Sequence, residues 1–257
     1  MHEMFDLTGK IAVVTGCASE MGKQMAEALA EANADIVGID KSSLAGVESA
    51  VKGYGKNFYG IRADLSNTDI IPDIVQGIVD KLGHIDILID YSNAQDSGQQ
   101  PENICWDEYL HIIDVNQNAV VRMAILVYSQ MLKQSSGGKI VIVSSVLADR
   151  TSPDALAYTI SKNAVVGLMR TLSIAGAQHK IWVNAIAPGM IETAAIQGLS
   201  KELYDQLNTK VIQGGLAAQK LGKPENIRGT VVFLSSKASD YTVGQIFRID
   251  GGFTSRI

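Results

Sequence analysis

Short apolar runs alternate with amphipathic segments along most of the chain. Runs rich in β-branched residues have the length of strands and cover residues 11–15, 34–40, 57–64, 85–89, 139–144, 182–186 and 245–249. Apolar positions recur with a period near 3.6, which predicts helices, over 21–31, 70–82, 106–132, about 156–178 and 224–234. Strands that alternate with such helices form βαβ units. The pattern therefore predicts an α/β fold with a sheet of seven mainly parallel strands and helices on both faces.

Composition narrows the setting of this fold. The 257 residues are 46% hydrophobic and carry a net charge of −5, which argues against a nucleic-acid or anionic-membrane surface. Cys17 and Cys105 are too few for a disulfide framework or a metal cluster, so we expect reduced thiols and no metal site. No apolar run approaches the roughly 18 residues of a membrane helix, and residues 1–10 do not resemble a secretory signal. We expect a cytoplasmic protein with a small-molecule substrate and no nucleic-acid or membrane partner.

One predicted helix carries a candidate acid/base pair. Tyr158 and Lys162 are four residues apart, so the phenol and the ammonium share a helix face. An ammonium held close favours the phenolate and brings a tyrosine toward the range of general acid/base catalysis. Taken alone, the pair is better explained as an ordinary half-buried tyrosine and a surface lysine, because such spacings arise by chance.

The turn after the first strand has glycines that suit a dinucleotide. Gly16 and Gly22 stand where backbone N–H groups at a helix start can approach a pyrophosphate, although a plain tight turn explains them about as well. Asp40 strengthens the first interpretation, because it ends the second strand 24 residues after Gly16. A carboxylate there can accept both hydroxyls of the adenosine ribose and repels a 2′-phosphate. NAD is therefore expected and NADP is less favoured, although the neighbouring Lys41 favours NADP.

The chain resembles the short-chain dehydrogenase/reductase family over essentially its full length, in the compact single-domain branch. Thr15, Gly16 and Gly22 match the family motif T-G-x-x-x-G-x-G, whereas Glu20 replaces the middle glycine. We expect the Glu20 side chain to turn away from the phosphates and to weaken cofactor binding or shift the loop. An ungapped match places residues 90–93, Asp-Tyr-Ser-Asn, at the family's N-N-A-G segment, and a slip of two residues aligns Asn93-Ala94 instead. The resemblance implies one Rossmann-type, doubly wound domain over residues 1–257.

The resemblance also implies four catalytic residues. Ser145 lies thirteen residues before Tyr158 and would bind the substrate oxygen, whereas Ser144 is expected to point into the fold. Tyr158 would transfer the proton, and Lys162 would hold the nicotinamide ribose and lower the pKa of the phenol. Asn116, in the long helix, would position a water of a proton relay.

Other family patterns imply the remaining cofactor contacts. The N-x-x-x-P-G pattern at 184–189 implies that Ile191 and Thr193 hold the nicotinamide carboxamide, and the end of the third strand would lie beside the adenine. The complete set of expected cofactor contacts is Gly16, Ser19, Met21, Gly22, Asp40, Asp64, Leu65, Tyr91, Tyr158, Lys162, Ile191 and Thr193.

These features together predict an NAD(H)-dependent oxidoreductase that interconverts a secondary alcohol and a ketone. Segments 14–17, 35–39 and 83–88 are similar to 2-deoxy-gluconate and gluconate dehydrogenases of the family, which favours a sugar, polyol or sugar acid as substrate. Residues 190–222, polar and variable, would form the substrate lid. One alternative is reduction of a 3-oxoacyl thioester, whose enzymes share nearly all these motifs but usually prefer NADP. The other alternative is a non-catalytic dinucleotide sensor or scaffold, which Glu20 and residues 90–93 support.

Family members of this size imply a homotetramer or a homodimer formed through the long helix and the Tyr158 helix. The long helix has an apolar face compatible with such an interface, although a helix buried within the chain would look the same. This face comprises Ile112, Val115, Ala119, Met123 and Val127.

Overall fold

The computed structural model describes residues 3–193, 196, 198, 200–213 and 216–255. Seven strands form one sheet in the order β3-β2-β1-β4-β5-β6-β7, and every neighbouring pair is parallel. The strands are β1 (Ile11–Thr15), β2 (Asp35–Asp40), β3 (Phe58–Arg62), β4 (Ile87–Asp90), β5 (Gly138–Val143), β6 (Ile181–Pro188) and β7 (Ile246–Ile249). The helices are α1 (Glu20–Glu31), α2 (Ala45–Gly53), α3 (Ile71–Leu82), α4 (Trp106–Ile113), α5 (Ala119–Gln134), α6 (Leu156–Gly176), α7 (Lys201–Gln213) and α8 (Arg228–Ser235).

Both faces of the sheet are covered, and the side chains of each strand alternate between two apolar cores. In β1, Ile11 and Val13 join the core that contains buried residues of α3, α5 and α6. Ala12 and Val14 point the other way, into the core that contains buried residues of α1, α2 and α8. The period-2 geometry of a strand between two helical layers explains why β1 is apolar on both of its faces. The predicted doubly wound α/β fold is confirmed, and its sheet is parallel throughout.

Two helical features differ from the sequence prediction. Helix α2 was not predicted, since within its nine residues only Val47 and Val51 are buried and the apolar stripe is short. The predicted long helix is divided by a π-helical turn, Asp114–Asn118, between α4 and α5. A π-turn opens the regular i→i+4 ladder and recurs at functional sites.

The apolar face suggested as an interface lies inside the chain. Four of its five residues, Ile112, Ala119, Met123 and Val127, are buried within the protein, and Val115 is half-buried. The alternative of an intramolecular core helix is therefore correct for this face. Among the described residues, the helical run 106–134 is the one long and apolar enough to cross a membrane by length and composition, with a mean hydropathy of 1.2. Its inward residues belong to the core against the sheet, which accounts for that composition.

The region predicted as a lid begins after β6, and backbone hydrogen bonds link its two ends. Gly222 N–H donates to the Met190 carbonyl at 2.9 Å, and Glu192 N–H donates to the Gly222 carbonyl at 2.7 Å. Between these points lies α7, a helix of 13 residues within the predicted lid. Leu216 and Leu221 pack with Tyr204 of α7. Residues 194, 195, 197, 199, 214 and 215 of the predicted lid lie outside the described residues.

Candidate active site

A cleft of about 280 Å³ opens at the carboxyl ends of β1, β2, β3 and β4. In an open parallel sheet this edge, beside the point where strand order reverses, is where ligands bind. Six of the predicted cofactor contacts line the cleft, namely Gly16, Ser19, Asp40, Asp64, Leu65 and Tyr91. The structure therefore brings together the residues predicted for the adenosine half of a dinucleotide, which are far apart in sequence.

The glycine turn between β1 and α1 leaves no room for side chains. Gly16 has φ of +61°, and a Cβ added there would lie 2.0 Å from the Tyr91 carbonyl oxygen. A Cβ on Gly22 would lie 2.1 Å from the Gly16 carbonyl oxygen. Ser19 caps α1 by accepting a hydrogen bond from Gly22 N–H at 3.1 Å. The resulting backbone cradle at a helix N-terminus fits a pyrophosphate. Glu20, which replaces the middle glycine of the family motif, is exposed in the first turn of α1.

The Asp40 carboxylate is fixed at the rim of the same cleft. One carboxylate oxygen, Oδ2, accepts from Ala18 N–H at 3.0 Å and the other, Oδ1, from Ser42 N–H at 2.8 Å. Lys41 Nζ lies 4.0 Å from Asp64 Oδ2, and both side chains are more than half exposed. The ammonium of Lys41 therefore lies near the carboxylate of Asp64 and is also exposed to solvent.

Tyr158 and Ser145 meet at the carboxyl ends of β5 and β6. Ser145 follows β5, is buried, and its hydroxyl accepts from Leu147 N–H at 3.1 Å. Burial raises the pKa of the Tyr158 phenol to about 12, and a hydrogen bond with Ser145 opposes this rise. Ser144 donates to the Lys162 carbonyl at 3.0 Å, so the prediction that it points into the fold is confirmed.

Lys162 lies behind the phenol and is itself buried. Its Nζ lies 5.4 Å from the centroid of the Tyr158 ring and donates to the backbone carbonyls of Ser92 and Val143, both at 3.2 Å. Burial lowers the pKa of Lys162 to about 8, and the charge of Asp90 opposes this change. Burial of the phenol outweighs the hydrogen bond with Ser145, so the pKa of Tyr158 is raised. The expected lowering of this pKa by Lys162 stays a prediction.

Comparison with known proteins identifies the family to which the chain belongs. A family model described as Enoyl-(Acyl carrier protein) reductase matches residues 16–254. The chain belongs to the short-chain dehydrogenase/reductase family. Membership makes it an oxidoreductase with a site for a nicotinamide dinucleotide, and it confirms the resemblance drawn from the glycine turn and the Tyr158 helix.

Three proteins illustrate the similarity of this short-chain dehydrogenase/reductase to known enzymes and structures. The 2-dehydro-3-deoxy-D-gluconate 5-dehydrogenase of Dickeya dadantii is 36% identical over 255 residues, covering 98% of each chain. The 3-oxoacyl-(acyl-carrier-protein) reductase FabG of Vibrio cholerae is 30% identical over 96% of this chain and 98% of its own. A crystal structure from Agrobacterium tumefaciens, provisionally assigned as a 2-deoxy-D-gluconate 3-dehydrogenase with bound NADP, superposes with a TM-score of 0.88. It is 29% identical and covers 98% of this chain and 99% of that one.

Asn116 of this short-chain dehydrogenase/reductase is buried inside the π-turn and holds two segments together. Its side-chain oxygen accepts from Ala94 N–H at 2.6 Å, and its amide donates to the Ala94 carbonyl at 2.7 Å. The same amide donates to Ser161 Oγ at 3.3 Å, and Ser161 Oγ donates to the Tyr158 carbonyl at 2.7 Å. Asn116 therefore positions the segment after β4 against α6, the helix that carries Tyr158. Its expected role in a water relay stays a prediction.

Asp96 is a residue of the site that sequence reasoning missed. Its two carboxylate oxygens accept from the backbone N–H groups of Ala157 and Tyr158, at 3.2 and 2.9 Å. Helix α6 has no side-chain cap of its own at Ala155, so a carboxylate from 61 and 62 residues away supplies one. No local spacing relates the two segments, so no signal along the chain pointed to this contact.

The remaining predicted contacts lie at two places. Gly22 is buried in the first turn of α1, and the Met21 side chain packs against the core on that face of the sheet. Ile191 forms a single β-bridge with Gly222, and Thr193 follows at the base of the lid. None of these four lines the adenosine cleft, and their contacts with a cofactor stay predictions.

Proposed function

We propose that this protein is an NAD(H)-dependent dehydrogenase that interconverts a secondary alcohol and a ketone on a sugar acid of the 2-dehydro-3-deoxygluconate type. The observation that carries the proposal is the juxtaposition of Tyr158, Ser145 and Lys162 at the same sheet edge as the glycine turn. The substrate class rests on the 36% identity to the Dickeya dadantii enzyme over nearly the full length of both chains.

Tyr158 acts as the general acid/base in this proposal. The bound cofactor supplies or accepts the hydride at its nicotinamide. With a pKa raised to about 12, the phenol holds its proton at neutral pH and can donate it to the oxygen of a ketone as that oxygen gains charge. In the opposite direction the phenol must first release its proton to solvent, and the phenolate then accepts the proton of the alcohol. Ser145, already in hydrogen-bond contact with the phenol, binds the same oxygen and stabilises the charge on it.

Lys162 binds the nicotinamide ribose and contributes positive charge behind the phenol. An ammonium close to the ring favours the transition state in which the tyrosine begins to lose its proton. Because burial lowers the pKa of Lys162 to about 8, its charge is present at neutral pH and is lost in mildly alkaline solution.

The preference for NAD over NADP rests on Asp40. Its carboxylate is held by the N–H groups of Ala18 and Ser42 at the cleft rim, where it would accept the hydroxyls of the adenosine ribose. A 2′-phosphate would be placed against this negative charge. The Agrobacterium tumefaciens structure holds NADP on a similar fold, so the fold alone does not select NAD and the proposal depends on this residue.

The test is a matrix of initial rates with purified protein. NAD and NADP are each combined with 2-dehydro-3-deoxygluconate, gluconate and a panel of polyols, and the reduced cofactors with a 3-oxoacyl ester. We expect the highest kcat/KM for a sugar acid with NAD. Activity confined to the 3-oxoacyl ester with NADPH would instead support the reductase alternative, which the 30% identity to the Vibrio cholerae enzyme favours. Binding of NADH without turnover of any substrate would support the sensor alternative.

We also propose a homotetramer or homodimer. Since the predicted interface face is internal, the support comes from other apolar side chains on the outer surfaces of α5 and α6. Ile125, Ile160 and Ile174 are 45%, 40% and 80% exposed. Light scattering coupled to size exclusion tests this directly, and a monomeric mass would overturn it.

A further inference from the structure

Two buried side chains of opposite charge lie behind the catalytic tyrosine. Asp90, the last residue of β4, and Lys162 of α6 are each 1% exposed. The Asp90 oxygen Oδ1 accepts from Thr15 Oγ1 at 2.8 Å and from Ser92 Oγ at 3.3 Å. The other oxygen, Oδ2, is buried and has no hydrogen-bond partner among the described residues. A buried charge that is incompletely hydrogen-bonded needs an opposite charge nearby.

Ser92 connects the two charges. Its hydroxyl donates to Asp90, and its backbone carbonyl accepts from Lys162 Nζ. The ammonium otherwise contacts the Val143 carbonyl, so its hydrogen bonds in the protein are to neutral groups. Burial raises the pKa of Asp90 to about 6, and the hydrogen bonds and the charge of Lys162 oppose this rise. Burial lowers the pKa of Lys162 to about 8, and Asp90 opposes that change.

The groups that pack around this pair carry little other charge. From α6 comes the Tyr158 phenol, and from the segment after β4 comes the Tyr91 phenol, whose pKa burial also raises. The contacts from β1 and β5 are a threonine hydroxyl and a backbone carbonyl.

We propose that Asp90 is a positioning residue that acts through Lys162, because its carboxylate is the counter-charge that keeps the buried ammonium protonated and directed to the cofactor ribose. The catalytic consequence rests on the proposed function, whereas the charge pairing does not. An asparagine at this position preserves the shape of the side chain and one hydrogen-bond acceptor, but it removes the negative charge that compensates the Lys162 ammonium. The alternative is that Asp90 serves only as a hydrogen-bond acceptor for Thr15 and Ser92.

A double-mutant cycle on stability tests the pairing without any activity. Asp90→Asn, Lys162→Met and the double variant are unfolded in urea at pH 7. We expect the loss in midpoint for the double variant to be smaller than the sum of the two single losses, because removal of both charges leaves neither uncompensated. Asp86→Asn is the matched control, since this buried carboxylate lies at the opposite end of the sheet and pairs with Lys10. The losses in midpoint caused by Asp86→Asn and Lys162→Met should add in their double variant. If the losses caused by Asp90→Asn and Lys162→Met also add, the proposal is overturned.

Cofactor binding gives an independent readout. NADH fluorescence titrations over pH 6 to 10 should show wild-type affinity falling as pH rises through about 8, where Lys162 loses its proton. In Asp90→Asn this midpoint should move to lower pH by about one unit or more. Ser92→Ala removes a hydrogen bond to Asp90 but no charge, and should leave the midpoint in place. An unmoved midpoint in Asp90→Asn would overturn the proposal. Absence of NADH binding to the wild type would refute the proposed function, while the stability cycle would still decide the pairing.

Lys162→Met alone covers the case in which Asp90→Asn does not fold. Without the ammonium, the folded-state pKa of Asp90 rises further above its unfolded value, so stability is retained at low pH and lost as pH rises through the folded pKa. The urea midpoint of Lys162→Met should therefore fall further below that of the wild type between pH 5 and pH 8. A constant difference across this range would contradict the pairing.

Discussion

Replacement of Asp40 by asparagine tests the physical basis of cofactor choice. The side chain ends β2 half-buried at the cleft rim, where Ala18 N–H and Ser42 N–H hold its two oxygens. Asp40→Asn keeps the shape of the side chain and one acceptor while removing the negative charge. Binding of the ribose hydroxyls should weaken slightly, and the repulsion of a 2′-phosphate should disappear.

The magnitude follows from Coulomb's law at the contact distance of the two groups. Two unit charges about 4 Å apart interact by about 1 kcal/mol in water and about 4 kcal/mol at an effective dielectric constant near 20. Asp40 is partly exposed, so its environment lies between these limits. Since about 1.4 kcal/mol corresponds to a factor of ten, the ratio of kcat/KM for NADP to that for NAD should rise by about 5-fold to 10³-fold.

The assay compares initial rates with NAD and NADP at saturating substrate for the wild type, Asp40→Asn and a control. Asp35→Asn is a suitable control, because Asp35 begins the same strand and lies at the opposite edge of the sheet. Its cofactor ratio should equal that of the wild type. A ratio that changes less than about two-fold in Asp40→Asn, or a wild type that already prefers NADP, would refute the electrostatic reasoning.

Three further substitutions test the site. Tyr158→Phe should abolish turnover and leave the Kd for NADH nearly unchanged, and retention of more than about a few per cent of kcat would contradict its role as acid/base. Asp96→Asn weakens the cap of α6. It should lower the free energy of unfolding, measured in urea, by about 1 kcal/mol, and it should also lower kcat. Asp154→Asn, exposed near the same helix start, is its control, and equal behaviour of the two would argue against the cap. Gly16→Ala places a Cβ 2.0 Å from a backbone oxygen and should abolish NADH binding or folding, whereas Gly77→Ala meets nothing within 4 Å and should be tolerated. Normal NADH affinity in Gly16→Ala would contradict the cradle.

The amino-acid sequence by itself determined the fold class and the identity of the central residues. Apolar periodicity depends on local geometry, so the seven strands and most helices could be located without tertiary information. The pair Tyr158 and Lys162 depends on helical spacing, and Asp40 depends on its place at the end of a strand. Ser145 was found through the family resemblance, which implies a serine thirteen residues before the tyrosine. Each of these signals is a distance along the chain.

Only the tertiary structure decided how these residues are held and charged. Asp96 caps α6 and Asp90 lies behind Lys162 because segments far apart in sequence meet at one edge of the sheet. Burial raises the pKa of Tyr158, and this burial depends on everything packed around the phenol and not on the lysine four residues away. Spacing along a chain predicts which groups can meet. The balance between desolvation and charge at their meeting point follows from long-range packing, which no local pattern records.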